Sequence, residues 1–322
     1  MENALVLLKD DLLKVEAQFR EDLQSEVDLI RKVGEYVLAS GGKRMRPMLL
    51  LLCARMAGYG GETHIGLASV VEFIHTATLL HDDVVDSAVL RRGNASANAV
   101  WGNEASVLVG DYLFAKSFSI MVRVGDLKIL KALSDATTIM AEGEVQQLIN
   151  TCDLDLAEEN YITVVRNKTA VLIAAACQCG GILGGVSAEA ERALADFGME
   201  LGIAFQFMDD CLDYVAEESE FGKAKGHDLE EGKVTLPLIQ ALRGCSAEER
   251  ARVEAVVEQE VLEEADLALV TALIHRYDGI AYTRQRARQL VETAKARLAL
   301  FADSPAKSAL MELADYVVDR RK

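Results

Sequence analysis

Two clusters of carboxylates each follow a greasy run of this chain. Asp82-Asp83-x-x-Asp86 comes directly after Val70–Leu80, and Asp209-Asp210-x-x-Asp213 after Phe197–Ala204. Apolar spacing reads both runs as buried helices. Three aspartates at the end of such a helix are out of place in a core, because an unpaired buried carboxylate is very costly. Asp82 and Asp86 are four apart, which puts them on one helical face about 6 Å apart along the axis. Like charges there repel unless a cation lies between them. Hard oxygens beside open water suit Mg²⁺, which is commonly held by one or two carboxylates plus substrate phosphates. One such cluster in an acidic chain would read as a solvated helix end. A second copy of the same design suggests one site clamped from two sides.

The basic residues sharpen this expectation. The net charge is −17, which argues against nucleic acid or an anionic membrane surface as partner. Lys43, Arg44, Arg46, Arg91 and Arg92 stand out from that background. Gly41-Gly42 breaks the helical pattern, and Lys43-Arg44-Met45-Arg46-Pro47 opens a new helix with Pro47 suited to its first position. Cations before a helix N-terminus suit a diphosphate, since free N–H groups and the dipole add to the side-chain charge. A solvated turn is the alternative. Lys168, on an otherwise apolar helix, reads either as a snorkelling surface lysine or as a buried phosphate ligand. Residues 222–235, with Lys223 and Lys233, form a polar, glycine-bearing stretch placed to fold over the site as a lid.

The elements that must position these groups are helical. Apolar residues make up 51% of the 322 residues, with three prolines and 6% aromatics, a composition that favours helices over strands. Residues 1–38 read as amphipathic packing helices. Further helices are expected over Ala105–Val124, Leu127–Ile149, Tyr161–Gly181 and Val234–Arg243, with a loop at Gly93–Gly102. The reading is one all-α domain over 1–322, in which Arg320-Arg321-Lys322 reads as a frayed, solvated tail in preference to one folded back over the diphosphate site. Six scattered cysteines without a Cys-x-x-Cys pair suggest a reduced, cytoplasmic setting. The longest apolar run, Pro47–Ala54, is too short to span a bilayer.

Together, Gly41–Pro47, Asp82-Asp83-x-x-Asp86 with Arg91-Arg92, Gln206 and Asp209-Asp210-x-x-Asp213 resemble the trans-isoprenyl diphosphate synthase (polyprenyl synthetase) family over nearly the whole chain. Within it the chain is most similar to long-chain members that supply quinone side chains. The resemblance implies an isoprenoid-synthase-type helical bundle around a deep central cavity, a homodimer, and Mg²⁺, three ions per active site. It implies head-to-tail condensation of isopentenyl diphosphate with an allylic diphosphate such as farnesyl diphosphate, giving an all-trans, membrane-destined octaprenyl (C40) product. It places metal on Asp82, Asp86, Asp209 and Asp213, with Asp83 and Asp210 in support. Lys43, Arg46, His75 and Arg92 would hold isopentenyl diphosphate. Arg91, Lys168, Lys223 and Lys233 would surround the leaving diphosphate, with Gln206 and Thr169 beside the allylic cation. Read by itself, a lone histidine on an apolar helix such as His75 is more often a core residue.

Product length is expected to be set down the helix from Asp82. In this family a bulky aromatic five positions before the first Asp blocks the tunnel. Ala77 is small there, Thr78 lies beside it, and Phe118 and Met121 are either the tunnel floor or ordinary core. Each added C5 unit could gain about 4 kcal/mol from burial, as an upper bound, at roughly 0.8 kcal/mol per methylene-sized group. Ser87, where the family often has an acid, and His227, where an Asp is common, are departures expected to tune the site. The other readings are a shorter-chain synthase, a non-catalytic subunit of a heteromeric synthase, a terpene cyclase, and a helical scaffold with surface aspartates. Both acidic motifs are intact, against the non-catalytic subunit, and the isopentenyl-side cations argue against the cyclase.

Overall fold

Leu49 to Ala54 are each fully shielded from solvent, and a helix apolar on all sides is one wrapped by other elements. That segment lies in α3 (Met45–Met56), which packs with α1 (Glu2–Asp22) against α4 (Thr63–Val85). The computed structural model describes residues 1–215, 226–259 and 261–320. They are helical apart from loops and one two-stranded hairpin, β1 (Leu90–Arg91) with β2 (Asn94–Ala95), in which Leu90 pairs with Ala95. The chain divides into two compact units.

The first unit comprises Met1–Thr137, Leu172–Gly198 and Arg297–Leu313. Its hub is α4, which packs most extensively on α6 (Asn103–Val124) and also on α5 (Ala97–Trp101). The stacked rings of Phe19 and Phe73, 4.2 Å apart, sit in a cluster with Ala77, Leu80, Val109 and Leu113. Charges carried inward are paired. Arg55 donates to Asp11 at 2.8 and 3.1 Å, Arg123 to Asp22 at 3.2 Å, and Arg44 to Glu72.

The second unit comprises Thr138–Val171, Met199–Ala296 and Ala314–Lys322. It contains the end of α7 (Leu127–Ile149), α8 (Glu158–Val165), a π-helical turn (Arg166–Ala170) and the C-terminal half of α10 (Ala188–Val215). Glu158 opens α8, is 6% exposed, and receives Tyr282, Arg243 and Arg286. One buried acid thus gathers three donors from later helices.

Several local expectations change. Pro47 is the third residue of α3, not its first, because the chain turns helical at Met45 after Arg44 in a left-handed conformation. A proline there still costs no intrahelical bond, since the first N–H groups have no partner. The expected loop at Gly93–Gly102 contains the second hairpin strand and α5. Tyr161–Gly181 is not one regular helix but α8, the π turn and α9 (Val171–Leu183). Two helices, α4 and α6, are long and apolar enough to cross a bilayer, which the Pro47–Ala54 run by itself does not reveal. In α4 the apolar residues supply the first unit's core, and α4 also carries the buried Glu72 and Asp83.

Candidate active site

In the first unit, α4 runs helically to its end. The Asp86 N–H donates to the Asp82 carbonyl at 2.8 Å, so the four-residue spacing holds to the capping position. Asp82 and Asp86 are half-buried, whereas Asp83 is 2% exposed and turned inward. The Arg91 Nε donates to Asp83 Oδ1 at 2.6 Å, and Asn98 donates to the Asp83 carbonyl at 3.0 Å. The middle aspartate therefore fixes Arg91, on the hairpin, beside the outer two. Ser87 follows in a left-handed conformation (φ 50°), which Asn or Asp adopts more readily than Ser. That is a physical reason for the acidic residue expected at this position.

Arg92, also left-handed at φ 52°, reaches back and donates to the Gly41 carbonyl. Its guanidinium lies so near Gly42 (φ 151°) that a Cβ there would come within 2.9 Å. The double glycine thus lets the hairpin cation approach the start of α3. His75, one and a half to two turns before Asp82 on α4, sits at this junction. Burial, followed by the charges of Arg46, Arg92, Arg91 and Arg44, holds its pKa well below 6.5. Burial and Arg91 likewise lower the pKa of Arg92. Lys43 is exposed and Arg46 half-buried at the same loop. The first unit thus brings Arg46, Arg92 and His75 of the expected isopentenyl-side set together, and burial, with the proximity of those charges, favours the neutral imidazole.

The chain-length candidates also lie in this unit. Ala77 is fully buried among Phe73, Leu80, Val109 and Leu113. The Thr78 hydroxyl donates to the His75 carbonyl at 2.8 Å. On α6, Met121 is buried and Phe118 half-buried.

In the second unit the π turn presents Lys168 and Thr169. A single π turn inserts one extra residue into a helix and is frequent at functional sites. The turn meets α7 at Gly143, where a Cβ would fall 2.8 Å from the Lys168 nitrogen. The adjacent Glu144 takes the Lys168 ammonium at 2.8 Å. Lys168 is partly buried and ion-paired, which sets aside the free snorkelling lysine. The Thr169 hydroxyl donates to Gln206 Oε1 at 3.0 Å, and Gln206 Nε2 donates to Asp210 Oδ1 at 2.8 Å. Asp210 also accepts from the Tyr161 hydroxyl. Burial, then Asp228, pushes the Asp210 pKa well above the carboxylate range; burial and Asp210 raise that of Tyr161. A cavity of about 130 Å³ opens among Tyr161, Lys168, Thr169, Gln206, Asp210 and Lys233.

The outer aspartates of this second cluster are already engaged. Asp209 receives Arg320 at 2.7 Å. The Arg320 side chain is 3% exposed, donates to the Phe205 carbonyl at 2.7 Å and stacks on the Phe205 ring. This corrects the expected frayed tail at Arg320: ion pairing, a backbone acceptor and an aromatic face together outweigh chain-end entropy. Asp213 accepts the N–H groups of His227 and Asp228, at 3.2 Å each, where α11 (His227–Glu230) begins. The His227 ring lies by Glu230 and Glu231, so the residue meets acids where an Asp was expected. Lys233 pairs with Glu231. The expected lid is described only from Gly226 onward, and Lys223 lies outside the described residues, as do Arg321 and Lys322.

Among the described residues, no three His, Cys, Asp or Glu side chains gather into a metal cage. The donors at hand are carboxylates without sulfur or imidazole, a set that fits Mg²⁺ shared with substrate phosphates. Tyr161 and Glu72 are site-supporting residues that motif spacing does not single out, and Glu144 stands in the stretch Glu142-Gly143-Glu144-x-x-Gln147, to which the sequence attaches no role. An acid inside an apolar helical run was the one available signal for Glu72.

Comparisons with known proteins give the family. The polyprenyl synthetase family profile matches residues 27–274. Octaprenyl diphosphate synthase of Escherichia coli (strain K12) is 45% identical over 318 residues, covering 98% of this chain and 97% of that protein. Among solved structures, a polyprenyl synthase from Caulobacter crescentus CB15, complexed with calcium and isoprenyl diphosphate, superposes with a TM-score of 0.96. It is 41% identical and covers 100% of this chain and 98% of that one. A decaprenyl diphosphate synthase from Rhodobacter capsulatus gives 0.95 at 44% identity, covering 100% and 99%. The chain belongs to the polyprenyl synthetase family, with the all-α isoprenoid synthase fold. It is a prenyltransferase.

Proposed function

We propose that this enzyme condenses isopentenyl diphosphate, head to tail, with an allylic diphosphate such as farnesyl diphosphate to give an all-trans C40 polyprenyl diphosphate destined for quinone side chains. The observation that carries this is the pairing of two unlike ends on the first unit's α4. His75 lies among four arginines, and Asp82 and Asp86 follow at the helix end. A diphosphate that must not leave is suited to plain cations, and one that must leave to carboxylate-held Mg²⁺. Asp82 and Asp86 in the first unit would hold Mg²⁺, three ions per active site in all, and so would Asp209 and Asp213 in the second. Bound there, Mg²⁺ would supply charge neutralisation and a better leaving group.

Lys43, Arg46, Arg92 and His75 orient the isopentenyl diphosphate. Arg91, Lys168 and Lys233, with Lys223, receive the departing one. Gln206 Oε1 and Thr169 would lie beside the allylic carbon, where their oxygens could stabilise the developing cation. Exposed apolar side chains on α6 and α7, among them Leu108, Val122, Leu127 and Ile149, support a homodimer. A cytoplasmic enzyme handing a greasy product to membranes completes the reading.

One observation favours a second reading, a C15–C20 product. Ala77 is fully buried in a cluster with Phe73, Leu80, Val109 and Leu113, side chains that would bound the growing product. Incubation with Mg²⁺, labelled isopentenyl diphosphate and farnesyl diphosphate, with product length read by mass, separates the two. A C40 product is expected, a C15–C20 ceiling would establish the second reading, and no product from folded protein with any allylic starter would overturn both.

A further inference from the structure

We propose that Tyr161 is a positioning residue for the prenyl-transfer step, acting through Asp210 to fix which face of the Gln206 carboxamide points at the substrate. This rests on the placement of Gln206 beside the allylic carbon.

A carboxamide has a donor end and an acceptor end of nearly equal shape, so its orientation is set by its partners. Here one end meets Asp210, which takes the Gln206 Nε2 hydrogen at 2.8 Å. Oε1 is thereby directed to the Thr169 hydroxyl and the cavity. An oxygen aimed there stabilises positive charge, whereas an amino group would oppose it. Asp210 can impose this only if its own carboxylate is held still. Tyr161 does so by donating to the second oxygen, Oδ2. Both residues are nearly free of solvent, at 5% and 2% exposure, so no bulk water competes for the contact. The Tyr161 ring is itself fixed by stacking on Phe207 at 5.8 Å. The line therefore runs from α8 through α10 to the π turn, with one hydrogen bond at each step.

Tyr161→Phe is the sharp test, because it keeps the stacked ring and removes one oxygen. The expected result is a kcat lowered by up to roughly ten-fold, the scale of one buried hydrogen bond. KM for both diphosphates and the Mg²⁺ concentration for half-maximal rate should stay within about two-fold. Gln206→Leu should lower kcat further, and adding Tyr161→Phe to it should cost nothing more, since coupled residues are non-additive. Losses that multiply in the double variant would overturn the proposal, as would a shifted Mg²⁺ requirement, which would mean that Tyr161 acts on Asp209. If Gln206→Leu leaves kcat unchanged, the placement of Gln206 itself fails, a result distinct from the others. Should Tyr161→Phe fold poorly, Asp210→Asn supplies the same cycle, because an asparagine can bond either end of the carboxamide. An additive loss there would be equally decisive against the proposal.

Discussion

The same five-residue pattern, Asp-Asp-x-x-Asp, is put to different use in the two units. In both, the middle aspartate turns inward: Asp83 is bonded to Arg91, and Asp210 to Tyr161 and Gln206. The outer aspartates diverge. Asp82 and Asp86 terminate a helix with their backbone spacing intact. Asp209 is paired with the buried Arg320, and Asp213 receives the start of α11. Identical spacing therefore specifies which carboxylate is structural but not how readily the others take a metal. In the second cluster Arg320 and the start of α11 occupy the outer carboxylates, and these partners must give way before a metal can be held there.

Substitutions at the outer positions should break this comparison most visibly. Asp82→Ala is expected to lower kcat by about 10³-fold, since a metal-held leaving group is worth several kcal/mol. Asp213→Ala should lower it by roughly ten-fold and also cost about 1 kcal/mol of stability, the scale of a lost helix cap. Steady-state rates over a Mg²⁺ titration, with thermal unfolding of each variant, provide the check. Equal losses of rate at Asp82 and Asp213 would mean that the two clusters are interchangeable after all.

The middle positions sharpen the comparison on the scale of stability. Asp83→Asn removes the charge that holds a partly buried Arg91 and should destabilise the fold by roughly 2–3 kcal/mol. Asp210→Asn should cost less than about 1 kcal/mol. Asp210 is already driven toward its neutral form by burial and Asp228, and an asparagine resembles that form. Chemical denaturation of the two variants decides the order, and a larger cost at Asp210 would reverse this account of the second cluster.

Much of the molecule was legible in its residues. The helices from Leu127 to Ile149 and around both acidic clusters follow from apolar periodicity, because a helix that supplies a core must repeat at 3.6 residues. The cations at Lys43, Arg46, Arg91 and Arg92 were visible because an acidic chain makes them conspicuous. The π turn was not, since Arg166–Ala170 has ordinary helical composition, and its neighbour in space, Gly143 of α7, is more than twenty residues away in sequence. Tyr161 and Glu144 escaped for a related reason. Each acts on a residue distant in sequence, and periodicity within one helix carries no information about partners on another. Arg320 was read as a loose end because sequence position suggests fraying, whereas its partners, Asp209 and the Phe205 ring, lie more than a hundred residues away.

The smallest expected effect concerns His75, and it tests whether the first unit's cationic cluster is preassembled. Folded His75 has a pKa well below 6.5 because it is buried and faces Arg46, Arg92, Arg91 and Arg44. Above pH 6.5 the imidazole is neutral in both folded and unfolded chains, so pH does not act through it. Below 6.5 the unfolded chain takes up a proton that the folded one refuses, and unfolding is favoured as pH falls until the lowered folded value is reached. The loss can be at most about 1.4 kcal/mol per pH unit. Unfolding free energies at pH 7.0 and 5.5, in this protein and in His75→Gln, isolate it from other titrating groups. The variant is expected to lose less stability than the parent over that interval. Equal losses would mean that His75 accepts its proton in the folded state, and then the arginines around it cannot be packed as a ready-made diphosphate site but must be drawn together by the substrate. A smaller loss in the variant ties the two functions of α4 to one architecture: four guanidinium groups keep the imidazole neutral, and that neutrality lets it hydrogen-bond a diphosphate without adding to the charge that its neighbours supply.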